Sequence, residues 1–477
     1  MIPSSQSGVE QMERADIPFQ TVAALSELIR SGEVSPVDAT DAYLERIESF
    51  NTDIRAYLTV TAEQARQAAR QAEEEIASGH YRGPLHGVPV AVKDQIYTEG
   101  IRTTGGSPVF DEFVPEYDAT VIARLKEARA VLLGKLNMTE FATTGLSHQY
   151  DPPRNPWARD RSSGGSSSGS GAATAAFMCA ASLGEDTGGS VRFPAAWCGL
   201  AGLRPTWGLV SRYGVMPGVR SMDTIGPLGR TVEDCAIMLQ AIAGHDPNDR
   251  LTSREAPARY RESLTGDLSG LRMGILREVL YHESVDAEVS KAVMDAGNAL
   301  SRLGADVSEV SVPITAHAGP INGGIRIEAP TTYRNLLRER PRDIAHDNRV
   351  GYLTNAVMPA TYYYKAIQLR TLLRAQVLQA LQEVDLLLSP TAGVPAQPLV
   401  PDPEITGREN VNRTPYLLTT VPSLANIPAL AVPCGFSEEG LPLSLQIAGR
   451  PFDEATVLRA GHAYEQAAGW HTRRPPV

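Results

Sequence analysis

The apolar positions of this chain change period repeatedly, and the changes divide it into alternating helices and strands. Val22, Leu25 and Ile29 form one helical stripe over 21–30, which Gly32 stops. Ser35 and Pro36 open a second helix, Ser as its cap and Pro at its first position. Leu44 and Ile47 continue the apolar face of that helix. Residues 61–78, rich in Ala, Glu, Gln and Arg, predict a third helix. Val88-Pro-Val-Ala-Val92 then reads as a buried strand that runs into Lys93-Asp94. Beyond it, helices are predicted over 119–128, 232–243, 287–303, 361–383 and 453–468. Strands are predicted over 130–134, 271–276, 305–310, 384–388, 429–432 and 443–447.

The strand–helix–strand order across 271–310 implies a parallel crossover. Alternation from end to end, without an internal repeat, gives the α/β class. We expect a single large domain over 1–477, with a central twisted mixed β-sheet flanked by helices. The weakly patterned segment 314–364 is expected to cap a pocket.

Composition narrows the partners. The 477 residues are 42% hydrophobic and 21% charged, as in ordinary globular proteins. A formal net charge of -11 with no basic run offers no electrostatic footprint for nucleic acid or an anionic membrane. No apolar run approaches the ~18 residues of a membrane span. Residues 1–19 lack the apolar core of a secretory signal. Cys179, Cys198, Cys235 and Cys434 are scattered and form no C-x-x-C, which points to reduced core thiols in a cytoplasmic protein. The nine histidines show no metal-ligand spacing, so neither metal nor cofactor is expected.

Three stretches carry candidate chemistry. Ser162 to Gly171 contains only serine and glycine. It reads either as a flexible linker or as a tight polar turn whose backbone approaches another group closely. The Ala-rich run that follows, suited to burial, favours the turn. Gly165-Ser-Ser167-Ser-Gly169 also matches a nucleophile elbow with Ser167 attacking, but Arg159-Asp160-Arg161 is not the buried strand an elbow needs. In Asp186-Thr-Gly-Gly-Ser-Val-Arg192, two glycines before a serine let successive N–H groups converge on one anion; alone, the pattern also suits an ordinary turn. Lys93 is one of only five lysines and closes an apolar strand. Burial there would lower its pKa from ~10.4 and make it a base, which arginine cannot be; a snorkelling lysine is the plainer reading. His86 and His148 lie near these loops in sequence and leave a Ser–His hydrolase open.

Together these stretches resemble the amidase signature family. Gly164-Gly-Ser-Ser-Ser-Gly-Ser170 is similar to its first serine motif, Asp186 to Arg192 to its nucleophile motif, and Val90-Ala-Val-Lys-Asp94 to its lysine motif. The interval from Ser166 to Ser190 matches the one between the family's two catalytic serines. Gly134-Lys-Leu-Asn-Met-Thr-Glu-Phe-Ala142, Cys198-Gly-Leu-Ala-Gly-Leu-Arg-Pro-Thr206, Pro428-Ala-Leu-Ala-Val-Pro-Cys-Gly435 and Leu445-Gln-Ile-Ala-Gly-Arg-Pro-Phe452 extend the resemblance over nearly the whole chain. It implies a Ser–Ser–Lys triad: Ser190 as nucleophile, Ser166 after a cis bond from Gly165 as bridge, Lys93 as base. It further implies an oxyanion hole from the N–H groups of Thr187, Gly188, Gly189 and Ser190, with Asp186 and Arg192 holding the loop. Gln95, Ser168, Arg204 and Arg129 depart from the usual pattern without touching the triad.

Two functions agree with this resemblance. The first is an amidohydrolase acting alone, or as a homodimer, on a small and partly apolar amide, anilide or carbamate, with no nucleic acid and no membrane partner. The aromatic Thr361-Tyr-Tyr-Tyr364 suits an apolar pocket. The second is the amidase component of a glutamine-dependent tRNA amidotransferase. The stretch 410–425 lacks the Asp- and Tyr-rich pattern associated with that component, which favours the first.

Overall fold

A mixed sheet of eleven strands runs through the molecule. The structure, a computed structural model, describes residues 12–142, 148–399 and 415–477. Sequence expectations that fall on 1–11 and 410–414 lie outside these residues. In chain order the strands are β1 (Tyr57–Val60), β2 (Pro89–Lys93), β3 (Val131–Leu136), β4 (Arg154–Asn155), β5 (Ala158–Ser162), β6 (Ala181–Glu185) and β7 (Ala201–Arg204). There follow β8 (Ile225–Gly229), β9 (Arg272–Leu276), β10 (Asp306–Val310), β11 (Leu386–Pro390), β12 (Ala429–Phe436) and β13 (Pro442–Gly449). The large sheet has the order β1-β3-β2-β6-β8-β7-β12-β13-β11-β9-β10, while β4 and β5 pair separately.

The sheet is antiparallel in the middle and at its β1–β3 edge, with parallel pairs between the two and at the β10 end. β2 runs parallel to β3 and β6, and β9 parallel to β10 and β11. The expected crossover between β9 and β10 is thus present, carried by the helix Ala287–Arg302. Every residue of β2, β6, β7, β8, β11 and β13 is buried, because helices cover both faces. The early helices begin where their caps predict. Thr21 accepts from Ala24 N ahead of Val22–Ser31, and Ser35 accepts from Asp38 N ahead of Pro36–Ile54.

Three regions differ from the sequence pattern. The Ser/Gly stretch is no linker: residues 162–171 are buried throughout, and Ser168–Ala175 is a helix. The pattern does not predict β6, since Ala-Ser-Leu-Gly-Glu has no β-branched residue; its extended form comes from ladders to β2 and β8 on either side. Residues 318–357 form a run of short helices beside Ala360–Glu383 and Pro415–Ala425. Ile321, Ile325, Tyr333, Tyr352, Leu373 and Leu424 share one core there. Two tyrosines at the start of Ala360–Glu383 face outward. Tyr362 is 60% and Tyr364 64% exposed, and Tyr363 donates to Glu328 Oε1 over 2.9 Å. The four cysteines are buried free thiols. Among the described residues no helix is long and apolar enough to cross a membrane.

Candidate active site

The parallel pairing of β2 and β6 sets their C-terminal ends side by side, and these ends are Lys93 and Glu185. Both side chains are fully buried. Lys93 Nζ donates to Ser166 Oγ over 2.7 Å and to Glu185 O over 3.4 Å, and it lies 3.4 Å from Glu185 Oε2. Burial pushes the Lys93 ammonium below its ordinary value, against the pull of Glu185, Asp186 and Asp223. Burial also pushes the Glu185 carboxyl up to about 7. An amine held this way beside a serine hydroxyl can take its proton.

Ser166 follows a cis peptide bond from Gly165, as the family resemblance implies. Its turn is pinned from several sides. Ser166 O accepts from Thr139 N over 3.2 Å, and Gly169 N donates to Asn137 O over 2.8 Å. A β-carbon on Gly169 would come 2.4 Å from Ala56 O, so the helix that starts here needs glycine to approach that backbone. Ser167 N donates to Ser190 O over 3.2 Å, which ties the Ser/Gly turn to the second serine motif.

Ser190 sits in the loop between β6 and the helix Arg192–Cys198, 5% exposed. Asp186 organises this loop from within. Its Oδ1 accepts from Gly189 N (2.8 Å) and Arg192 Nη2 (3.0 Å), and its Oδ2 from Val191 N (3.2 Å) and Arg192 Nε (3.0 Å). Arg204 Nη1 adds a contact of 3.1 Å to Oδ1. Burial alone would raise the Asp186 pKa, but Arg192 and Arg204 hold it well below the usual carboxylate range. Arg192 reaches on to Thr419 O and Ser423 Oγ, both at 2.8 Å, and so clamps the loop to Pro415–Ala425. Thr419 Oγ1 donates to Gly188 O over 2.6 Å. Gly189, at φ 131°, must be glycine, because a β-carbon there would meet Thr419 Oγ1 at 2.2 Å.

One member of the expected oxyanion set is corrected by this geometry. The Gly189 N–H is spent on the Asp186 carboxylate, so it fixes the loop instead of facing an oxyanion. Thr187 has a second role through its side chain. Its Oγ1 lies 2.8 Å from Glu185 Oε1 and 2.7 Å from Asp223 Oδ1, donating to one of them at a time.

The rival readings lose their geometry. Ser167 Oγ is buried and donates to Glu185 O over 3.2 Å, with no part left for it as an elbow nucleophile. His148 Nε2 pairs with Ser168 Oγ at 3.0 Å, and His86 Nδ1 accepts from Arg82 N. Neither histidine is placed against Ser190 or Ser166 by these bonds.

Sequence reasoning missed Glu185, Asp223, Thr419 and Arg326. Glu185 stands next to the second serine motif, but nothing in one dimension told its contact with Lys93. Arg204, a mere departure from the family pattern in sequence, turns out to neutralise Asp186. Arg326 comes from the helical region 318–357, and its Nη2 lies 3.6 Å from where a β-carbon on Gly188 would be, with Thr420 Cγ2 at 3.7 Å. A cavity of about 350 Å³ is walled by Tyr97, Tyr117, Glu185, Arg212, Asp223 and Asn248 among others.

The Amidase family profile matches residues 38–458. A subunit of the glutamyl-tRNA(Gln) amidotransferase of Geobacter metallireducens is 43% identical over 488 aligned positions, covering 96% of this chain and 99% of that protein. The solved structure of the corresponding glutamyl-tRNA(Gln) amidotransferase chain of Thermotoga maritima is 32% identical, with a TM-score of 0.79, covering 94% of this chain and 95% of that one. A chain of a vestigial protein complex tied to the origins of an s-triazine catabolic enzyme is 33% identical, with a TM-score of 0.88, covering 94% and 98%.

These relatives overturn the partner expectation of a small-molecule amide and no nucleic acid. Curated relatives of full length bear the name of one component of an amidotransferase for a charged tRNA. The physical reason for the error is that net charge reports how one whole surface meets phosphate, and is silent on a nucleic acid held elsewhere in an assembly. By profile, by identity and by fold, the chain belongs to the Amidase family.

Proposed function

We propose that this chain is the amide-cleaving component of a glutamine-dependent tRNA amidotransferase, releasing ammonia from glutamine for a transfer that partner subunits complete. The observation that carries this is 43% identity, over nearly all of both proteins, to one component of a glutamyl-tRNA(Gln) amidotransferase. The outward-facing Tyr362 and Tyr364 remove the main support for an apolar pocket. The task is one of the cytoplasm.

In this reading Ser190 Oγ attacks the carboxamide carbon while its proton passes through Ser166 to Lys93. The N–H groups of Thr187, Gly188 and Ser190 hold the oxyanion. The proton returns by the same relay to the leaving nitrogen, ammonia departs, and water hydrolyses the acyl-enzyme. Gly165, Asp186 and Arg192 position the two serine loops, and 314–364 caps the substrate. The test is to purify the chain with and without its co-expressed partner subunits and measure glutamine hydrolysis and amidation of glutamyl-tRNA. Both should appear in the assembly and vanish with Ser190→Ala. An assembly that ignores glutamine and hydrolyses anilides would sink the proposal.

A further inference from the structure

Glu185 is the one carboxylate among the described residues within ion-pair distance of Lys93, and both side chains have zero exposure. Its other oxygen lies 2.8 Å from the Thr187 hydroxyl, which orients the carboxyl when it donates there and not to Asp223. Lys93 itself is oriented by Ser166 at 2.7 Å. The Glu185 backbone adds to this, since Ser167 Oγ donates to its carbonyl and its N–H donates back over 3.3 Å. The relay proposed above gives this buried glutamate no step.

We propose that Glu185 is a positioning residue that sets the basicity of Lys93. A fully desolvated lysine with no counter-ion is too weak a base to take a serine proton near neutral pH, because burial disfavours its charged form. A carboxylate 3.4 Å from Nζ stabilises the ammonium that forms when Lys93 accepts the proton. The Ser166 O–H bond breaks as an Nζ–H bond forms, Ser166 takes the proton of Ser190, Ser190 Oγ bonds to the acyl carbon and the acyl oxygen takes the negative charge, so that the new ammonium is created beside Glu185, whose carboxyl is ionised above about 7. The proton goes back along the same bonds when the nitrogen leaves. Four other groups act on the Glu185 side chain. Asp186 follows it in the chain, Asp223 lies across Thr187, Arg204 projects from β7, and Tyr333 comes from the helical region. Asp186 is neutralised by Arg192 and Arg204, and Asp223 accepts from Gly218 N and Val219 N. Glu185 therefore remains the carboxylate aimed at Lys93.

This inference rests on the relay proposed above, and not on glutamine being the substrate. The test accordingly needs no natural substrate. The rate at which a fluorophosphonate probe labels Ser190 is followed against pH in the full-length protein. In Glu185→Gln the Thr187 contact survives and the charge is lost. Lys93 should then lose its proton at lower pH, so the acid limb of the labelling profile moves down by roughly one to three pH units. The plateau rate should fall, since a weaker base drives acylation less. Glu185→Asp keeps the charge at a greater distance and should give an intermediate limb, which also covers the case in which the glutamine variant does not fold. A limb that stays in place in both variants, or moves to higher pH, overturns the inference. Loss of glutamine turnover with an intact shift in labelling would instead count against the substrate and leave the role of Glu185 standing.

Discussion

Lys93 and Ser166 are joined by a 2.7 Å hydrogen bond at a place where neither side chain meets solvent. The bond links the end of a β-strand to a turn 73 residues later. Lys93→Arg keeps the positive charge but no usable basicity, and its larger fork would not fit the same space. Turnover should drop by about 10²- to 10⁴-fold, the usual worth of a general base. Steady-state kinetics on any amide the wild type cleaves will show it, and a rate within about threefold of wild type would reduce Lys93 to a structural part.

Asp186 is the anchor of the loop that carries Ser190. Asp186→Asn leaves Arg192 and Arg204 buried without their counter-charge. We expect a loss of about 3–5 kcal/mol in unfolding free energy, read by denaturant titration, together with loss of activity. A loss under about 1 kcal/mol would mean that water or another group replaces the carboxylate.

The Thr419 side chain meets the loop through its hydroxyl, which donates to Gly188 O, and through its packing against Gly189. Thr419→Val preserves the shape and deletes the donor. Stability should change by about 1 kcal/mol. The turnover number should fall roughly tenfold, less than the effect of deleting an oxyanion donor outright. Equal kcat in the two proteins would show that the loop keeps its form without this bond.

Lys135 gives a pH signature of its own. Burial pushes its ammonium from the ordinary 10.5 down to about 8, even with Asp94 at 3.7 Å. Below that pH the folded protein carries a buried charge that the unfolded chain solvates freely. Between about pH 8 and 10.4 the unfolded chain holds the extra proton, so this contribution to stability rises with pH across that window. Lys135→Met has no such ionisation. The difference in unfolding free energy, wild type minus variant, should climb by about 3 kcal/mol across the window. A flat difference would show that Lys135 keeps its ordinary pKa.

Much of this was legible in one dimension. The caps Thr21 and Ser35, the strand before Lys93 and the helix Ala287–Arg302 follow from local propensity and period, which depend on near neighbours alone. The short buried strand β6 was not legible, because its extended form is imposed by the strands on either side. Nor was the outward turn of Tyr362 and Tyr364, since an aromatic run looks the same whether it faces a pocket or solvent.

The sequence by itself determined the fold class, the two serine motifs and the lysine, because these are carried by residue type and spacing. Only the tertiary structure decided what each of those groups touches. It turned a Ser/Gly stretch into a buried turn, spent the Gly189 N–H on Asp186, and set Glu185 against Lys93. Those outcomes depend on contacts between segments far apart in the chain. In a desolvated site such contacts, more than residue type, decide which groups hold charge.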